Sequence, residues 1–345
     1  MFNYIIIDKD NLINNIKQVK ANNHNSKICA MVKANAYGVG QTEVVQILEN
    51  YVDYFGVACF FEAVNVSKHT NKKILIVGPL EKCCVDERYS YACHSLEDVE
   101  YLVNINKKIN VHLKVNSGMN RFGFSSIKEF KSAIKKIKKS NLVLEGVFTH
   151  FATNDNYVEK QMFQFNKYLN IIRKYKLNPI IHADNSIVQE NLNHNLDMVR
   201  VGFCLYNQND EKYLPVCEIK SKVTQINNVK KGDLVGYDYR FVADRKMKVA
   251  ILPIGYADGL DLRLIGFKLN VNGEKCEILN ICMDCFMLDV SNINIKKEDY
   301  IYILNKTNPL KNYANYLKIS EYQVMCNFSK LRANRLISVS DSENK

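Results

Sequence analysis

The chain has 345 residues, 47 Lys and Arg against 36 Asp and Glu, a formal charge of +11 and a 47% apolar share. That length and apolar share support a real buried core in one large domain or two ordinary ones, and exclude a low-complexity or disordered polymer. The lysines are spread along the chain, and small groups such as "KKIKK" (135–139) sit among apolar residues at helical spacing. They read as a solvated helix face, which disfavours a nucleic-acid partner.

The N-terminal "MFNYIIIDKD" has too short an apolar run for a signal peptide, and no stretch reaches membrane-spanning length. The expectation is a cytoplasmic protein without a membrane partner, its eleven irregularly spaced cysteines held as reduced thiols. Residues 1–8 read as a strand, and "DNLINNIKQVK" as an amphipathic helix with Asp10 as its N-cap.

From there β-rich runs alternate with helical stretches. The runs are "KICAMV" (27–32), "YFGVAC" (54–59), "KILIVG" (73–78), "RYSYAC" (88–93), "NVHLKV" (110–115), "VLEGVF" (143–148), "PIIHA" (179–183) and "DMVRVG" (197–202). "SLEDVEYLV" and "YVEKQMFQFNKYLNIIRKY" are two of the intervening helices. Eight such units fit a (β/α)8 TIM-type barrel. A doubly wound open sheet is the rival, but "GVG" at 38–40 lacks the third glycine of its phosphate fingerprint. Near Pro215 the rhythm changes to closely spaced strands: "VCEIKSKVTQI", "DLVGYDYRF", "KVAILPIG", "FKLNVNGEKCEILNI", "CFMLDV" and "DYIYIL". Asn272-Gly273 marks a hairpin turn. The expected architecture is a barrel over residues 9–215 followed by a mostly β C-terminal domain over 216–345, to which residues 1–8 add a strand. Cys282 and Cys285 form a CxxC with no second pair to complete a zinc site, and their stretch reads as strand. They are expected to be small buried residues, and no metal is expected.

Barrel enzymes place their chemistry at the carboxyl ends of the strands. Lys33 follows the first run, Lys114 ends the fifth, His150 follows the sixth, Asn185 and Ser186 follow the seventh, and Arg200 and Gly202 lie at the eighth. A lysine so placed serves as a Schiff-base nucleophile, a charge clamp or a surface residue; burial and nearby cations favour the first by freeing its amine. Tyr37, one helical turn on, can offer a hydroxyl to an anion. Arg121 suits a carboxylate, or else a structural ion pair. Ser186 is either an anion site or an ordinary N-cap. A lone histidine such as His150 is more often a satisfied core residue than a catalyst, and His182 lies just before Asn185 and Ser186. Arg200 inside a buried strand needs a partner. In the β-rich part, Tyr237, Tyr256, Met283, Asp284 and Tyr322 are unremarkable one by one.

Their order is specific. "VKANAYG", "NSGMNRFGF", "THFAT", "NS", "MVRVG", "GY", "IGYADG", "ICMD" and "EYQV" follow one another as in the alanine racemase family, fold-type III pyridoxal 5'-phosphate (PLP) enzymes, which the chain resembles nearly end to end. The resemblance implies that Lys33 holds PLP covalently and acts as one of two acid/base groups. It implies that Tyr37, Ser186, Tyr322 and the backbone of Gly202 and Phe203 hold the phosphate. Arg200 faces the pyridine nitrogen and is oriented by His182. His150 lies near the ring and links to the second base, Tyr237. Arg121 and the Met283 backbone serve the substrate carboxylate. Lys114 is a carbamylation site in this family, Tyr256 narrows the entrance, and Asn185 and Asp284 are supporting residues. In the family, Tyr237, Tyr256 and Met283 reach the barrel mouth of the other subunit, which implies a homodimer with shared active sites.

The chemistry requires a base on each face of the α-carbon, and PLP to make the proton removable. With Tyr37 taken by phosphate, as the resemblance implies, Tyr237 is the expected second base. Arg200 stays charged and cannot take the proton that a carboxylate would exchange with the ring nitrogen. Side reactions such as transamination are thereby suppressed. Bulky Tyr322 and Tyr256 imply a small substrate side chain. The expected reaction is interconversion of L- and D-alanine for peptidoglycan; a serine or broader racemase is the alternative. A non-catalytic PLP carrier is weaker, because such proteins lack the β domain. Asp238 stands where the family usually has glycine, Asn116 replaces a common aspartate, and "SKLRANR" (329–335) has an extra residue and no proline.

Overall fold

The apolar runs of the first part of the chain close into a parallel barrel. The computed structural model describes residues 2–186, 188–191, 194–206 and 212–339. Strand β1 (Asn3–Asp8) belongs to another sheet; the barrel is β2 (Lys27–Met31), β3 (Tyr54–Val57), β4 (Lys73–Ile76), β5 (Ser90–Cys93), β6 (Asn110–Lys114), β7 (Val143–Phe148), β8 (Ile180–Asn185) and β9 (Met198–Val201). Each pairs with the next, and β9 closes on β2 with Arg200 opposite Cys29. These strands are short and apolar on both faces because the barrel core covers one face and helices the other; β3 and β5 are buried at every residue. Two register shifts interrupt the regularity, between β6 and β7 and between β8 and β9. Both bear on the site.

The helices follow their sequence signals. Ser95 and Asp98 make a reciprocal capping box at the start of Leu96–Ile105. In Ile127–Lys138, Phe130, Ala133, Ile134 and Ile137 are buried, and the lysines of "KKIKK" are exposed. The first helix, Lys9–Asn22, corrects one expectation: its cap is Asp8, whose Oδ1 accepts the Asn11 N–H at 2.8 Å, and Asp10 lies within the first turn.

The remaining strands are β10 (Cys217–Lys222), β11 (Gln225–Val229), β12 (Met247–Leu252), β13 (Lys268–Val271), β14 (Glu274–Ile281), β15 (Phe286–Asp289), β16 (Tyr300–Leu304) and β17 (Asn334–Ser338). They form two sheets, ordered β16-β10-β1-β17 and β11-β12-β15-β14-β13. Strand β1 runs antiparallel to β10 and parallel to β17, burying Asn3, Ile5 and Ile7 on one face. Asn272 and Gly273, with φ of 53° and 92°, turn the β13–β14 hairpin. Val235, Ala243, Met247, Val249 and Leu279 pack a core beside the second sheet. "DLVGYDYRF" is a loop and not a strand: Gly236, Asp238 and Tyr239 all take positive φ, which breaks the pleat, and the Leu234–Val242 bridge is isolated. Cys282 and Cys285 likewise flank the β14–β15 turn, half-buried, where strand and full burial were expected.

By its internal contacts the chain divides into two units. One gathers the described residues of 1–12, 37–43 and 214–345; the other, those of 13–36 and 44–213.

Candidate active site

Lys33 leaves the end of β2 on an unusual backbone. Ala34, Asn35, Ala36 and Tyr37 have φ of 51°, 55°, 52° and 56°. The turn that the sequence suggested as an ordinary helical one is left-handed, which costs about 1–2 kcal/mol per residue. Glu62 helps to hold it. Its carboxylate accepts the Ala34 N–H at 2.6 Å and the Ala58 N–H at 2.7 Å, tying the loop after β2 to the loop after β3.

Around this amine the barrel collects cations. Lys114 is buried at the end of β6, and burial, then the charges of Arg121, Arg200 and Lys33, bring its amine down to about 8. His150 is pushed well below its usual range by burial and by Arg200, Arg121, Lys114 and Lys33. Arg121 itself is exposed, on a loop organised by Asn116. The Asn116 carbonyl oxygen accepts from the Gly118 and Asn120 N–H groups, as an aspartate would, and its amide donates to Asn120 and Ser125.

Arg200 is buried, and burial lowers it to about 10, still a cation at neutral pH. It donates to His182 Nδ1 at 2.8 Å, His150 Nδ1 at 3.2 Å and the carbonyls of Thr149 and Ala183 at 2.9 and 3.0 Å. The guanidinium lies 5.2 Å from the centre of the Phe148 ring, which stacks on His182. The shifted register of β8 makes this possible. From His182 to Asn185 β8 takes three steps where β9 takes two from Met198 to Arg200.

Ser186 follows β8, and its Oγ accepts the Gly202 N–H at 2.9 Å. The N-cap role falls instead to Asn185, whose Oδ1 accepts the Val188 N–H. Ser186 is thereby left beside the Gly202–Phe203 backbone, and its hydroxyl can still donate to a ligand. Phe203 opens the short helix Phe203–Tyr206.

In the other unit, the Tyr37 and Tyr322 rings lie 6.3 Å apart. Tyr237, Tyr256, Met283 and Asp284 line one cleft of about 910 Å³, with Asp238, Arg240 and Asn280 among its other walls. Asn280 Nδ2 donates to the carbonyls of Val235 and Tyr237 at 3.0 and 3.1 Å, pinning the loop that carries the phenol. Asp238 has φ of 62°, the left-handed conformation that explains glycine at this position and that aspartate tolerates. Its carboxylate pairs with Arg240 at 3.5 Å. The "IGYADG" turn lies against the "ICMD" backbone: Tyr256 N–H donates to Cys282 O, Ala257 N–H to Met283 O, and a Cβ on Gly255 would sit 2.1 Å from Met283 O. Arg332 clamps the pair, bridging buried Asp258 at 2.7 and 2.8 Å and Asp284 at 2.7 Å.

Sequence reasoning missed Glu62, Asn280 and Arg332, and also His112 and Glu145. His182 Nε2 is 2.9 Å from His112 Nδ1, and His112 Nε2 is 3.0 Å from Glu145 Oε2. One signal was available: His112 and Lys114 are two apart on β6 and share a face.

Residues 7–210 match the family described as "Alanine racemase, N-terminal domain", and residues 216–337 match "Alanine racemase, C-terminal domain". This chain belongs to the alanine racemase family. The chain is 35% identical over 327 residues to the alanine racemase of Fusobacterium nucleatum subsp. nucleatum, covering 88% of this chain and 92% of that protein. The alanine racemase structure from Clostridium difficile 630 superposes with a TM-score of 0.92 at 28% identity, covering 99% and 97% of the two chains. That from Bacillus anthracis with bound L-Ala-P gives 0.91 at 26% identity, covering 97% and 95%. The chain is accordingly an isomerase, with the racemase activity and PLP dependence of the family. The match to the C-terminal domain sets aside a carrier built from the barrel alone.

Proposed function

We propose that the chain interconverts L-alanine and D-alanine by a two-base mechanism, with Lys33 on one face of the α-carbon and Tyr237 on the other. The observation that carries this reading is the sorting of the signature side chains into two sets. The barrel gathers an amine and a field of cations; a cleft of the β-rich unit gathers a phenol, a methionine backbone and a second tyrosine. We further propose a homodimer in which each barrel mouth is completed by Tyr237, Tyr256 and Met283 of a second copy, with residues 9–215 and 216–345 as the working domains.

The donor set fits a phosphorylated aldehyde cofactor and an amino acid. Lys33 supplies the amine that holds PLP. The Ser186 hydroxyl, the Phe203 N–H and the phenols of Tyr37 and Tyr322 would serve its phosphate, and the Gly202 N–H would turn to it from Ser186 Oγ. Arg200 serves the ring nitrogen, and His150 the ring's edge. When bound, the cofactor holds the substrate amine covalently and delocalises the charge left at the α-carbon.

Arg200 cannot release a proton to the ring nitrogen at neutral pH. Arg121 and the Met283 backbone take the substrate carboxylate. Lys114, part neutral because of its lowered pKa, is the amine to take up carbon dioxide as a carbamate and give Arg121 an anionic partner. The bulk of Tyr256 and Tyr322 argues for a small substrate side chain, which puts alanine ahead of serine. The product suits a role in cytoplasmic supply of D-alanine for peptidoglycan; among the described residues no helix is long and apolar enough to cross a membrane.

The test is a chirality assay on L-alanine with and without added PLP, beside L-serine and L-lysine; faster turnover of serine would overturn the substrate assignment. Mixing inactive K33A and Y237F proteins tests the shared site. Subunit exchange restores one intact site per mixed dimer, and no recovered activity would sink the dimer proposal.

A further inference from the structure

Arg200 is a buried cation whose hydrogen-bond acceptors are two imidazoles and two carbonyls. A guanidinium only donates. His182 Nδ1, facing Arg200, must therefore be bare, and in a neutral ring the proton sits on Nε2. That N–H points at His112 Nδ1, 2.9 Å away, so this nitrogen is bare too. The His112 proton then sits on Nε2 and is donated to Glu145 Oε2 at 3.0 Å. Every link has one allowed direction. Burial pushes both histidines down, in keeping with two neutral rings.

The relay ends on a hub. The Glu145 carboxylate accepts from Tyr54 of β3, Lys73 of β4, Ser90 of β5 and His112 of β6. Tyr54, Lys73 and Ser90 are the first residues of their strands, so the hub lies at the amino end of the barrel, opposite the end that Lys33 leaves. Two local features build it. In β7, Leu144 faces Val111 and Gly146 faces His112, so Glu145 is the extra residue of a bulge that re-aims its side chain. A Cβ on Gly146 would lie 2.1 Å from His112 Nδ1, so only glycine leaves room for that ring.

We propose that Glu145 is a positioning residue for Arg200, fixing through His112 and His182 the proton order that presents the guanidinium to the cofactor ring. Its side chain has no part in binding substrate. Without this acceptor, the His112 proton gains nothing by staying on Nε2. If it moves to Nδ1 it opposes the His182 N–H, and the conflict passes to Arg200.

The proposal rests on the reading in which Arg200 faces PLP, and the test separates the two. The full-length chain, labelled with ¹⁵N-imidazole and freed of cofactor, is examined by NMR as the unaltered protein, E145L and G146A. In the unaltered protein both His112 and His182 are expected neutral with bare Nδ1. In E145L, and in G146A if E145L does not fold, the His182 pattern is lost. Unchanged His182 signals in the folded variant, or a protonated His112 Nδ1 in the unaltered protein, overturn the relay without touching the cofactor site. On PLP loading, the variant's absorbance spectrum is expected to shift with the altered Arg200 contact. Altered histidine signals beside an unchanged spectrum would overturn the positioning role at the ring.

Discussion

Tyr237→Phe isolates the second base. The ring is 69% exposed, and its loop is held through main-chain carbonyls by Asn280, not through the phenol. Removing one oxygen keeps the ring and its packing, so folding stability should stay within about 0.5 kcal/mol. A positioned acid or base contributes about 10²–10⁴ in rate. At about 1.36 kcal/mol per decade, the barrier to racemisation should rise by about 2.7–5.4 kcal/mol. The variant should still bind PLP, because the residues proposed to hold it do not include Tyr237. Lys33 remains as the single base, so the two enantiomers should diverge. In D₂O, proton NMR should show the α-proton of one enantiomer still exchanging with solvent while chirality barely changes. The other enantiomer should keep its proton. Racemisation at the unaltered rate would refute the assignment. Equal loss of exchange for both enantiomers would also refute the reasoning, because it would place Tyr237 in cofactor or substrate binding.

Borohydride treatment of the PLP-loaded protein should add the phosphopyridoxyl mass to the peptide bearing Lys33 and leave K33A unlabelled; a label on another lysine would displace the assignment. R332A should leave buried Asp258 with backbone donors alone, the N–H groups of residues 255 and 332, in place of the guanidinium, costing about 1–3 kcal/mol; urea unfolding measures it. Lys114, with its amine near 8, should show a carbamate resonance in ¹³C-bicarbonate that K114M lacks. For Glu145, burial alone would raise the carboxyl, but hydrogen bonds from His112, Lys73 and Ser90 overcome it and hold the group far below its usual range. Its folded pKa is thus depressed, so its contribution to stability is full above the unfolded value near ~4.3 and is lost as pH falls toward the folded value. The unfolding free energy of the unaltered protein should fall more steeply below pH ~4 than that of E145Q.

The barrel was legible because its strands are short apolar runs whose ends carry polar residues, as at Met31–Lys33 and Leu113–Lys114. The loop carrying Tyr237 was not. "DLVGYDYRF" has the aromatic content of a strand, and only the positive φ of Asp238 and Tyr239, which no composition announces, turns it into a loop. Asp8 and Asp10 are equally good caps by type, and the strand before the helix decided between them by ending at Asp8. The left-handed turn after Lys33 has no glycine until Gly38, so nothing local signals it. Glu145 was invisible for a different reason. Strand alternation assigns its side chain a face, and the bulge reassigns it. The motif "EGVF" contains both the carboxylate and the glycine that makes room for His112, but neither sits at the mouth, where chemistry is sought.

Those interior residues also bear on how the mouth can tolerate its charge. Lys33, Lys114, Arg121 and Arg200 act on one another as like charges, and burial adds to the cost. A carboxylate placed directly on Arg200 would relieve that cost and would also cancel the field that an anionic ligand needs. The carboxylate joined to Arg200 by hydrogen bonds is instead two neutral rings away, close enough to fix direction and too far to neutralise the guanidinium. On the proposed reading, that field is what phosphate, a substrate carboxylate and a carbamate on Lys114 would meet. A carboxylate on Arg200 would stabilise the folded chain on its own account and would compete with anions for the same cations, so the better-stabilised arrangement would bind them less tightly.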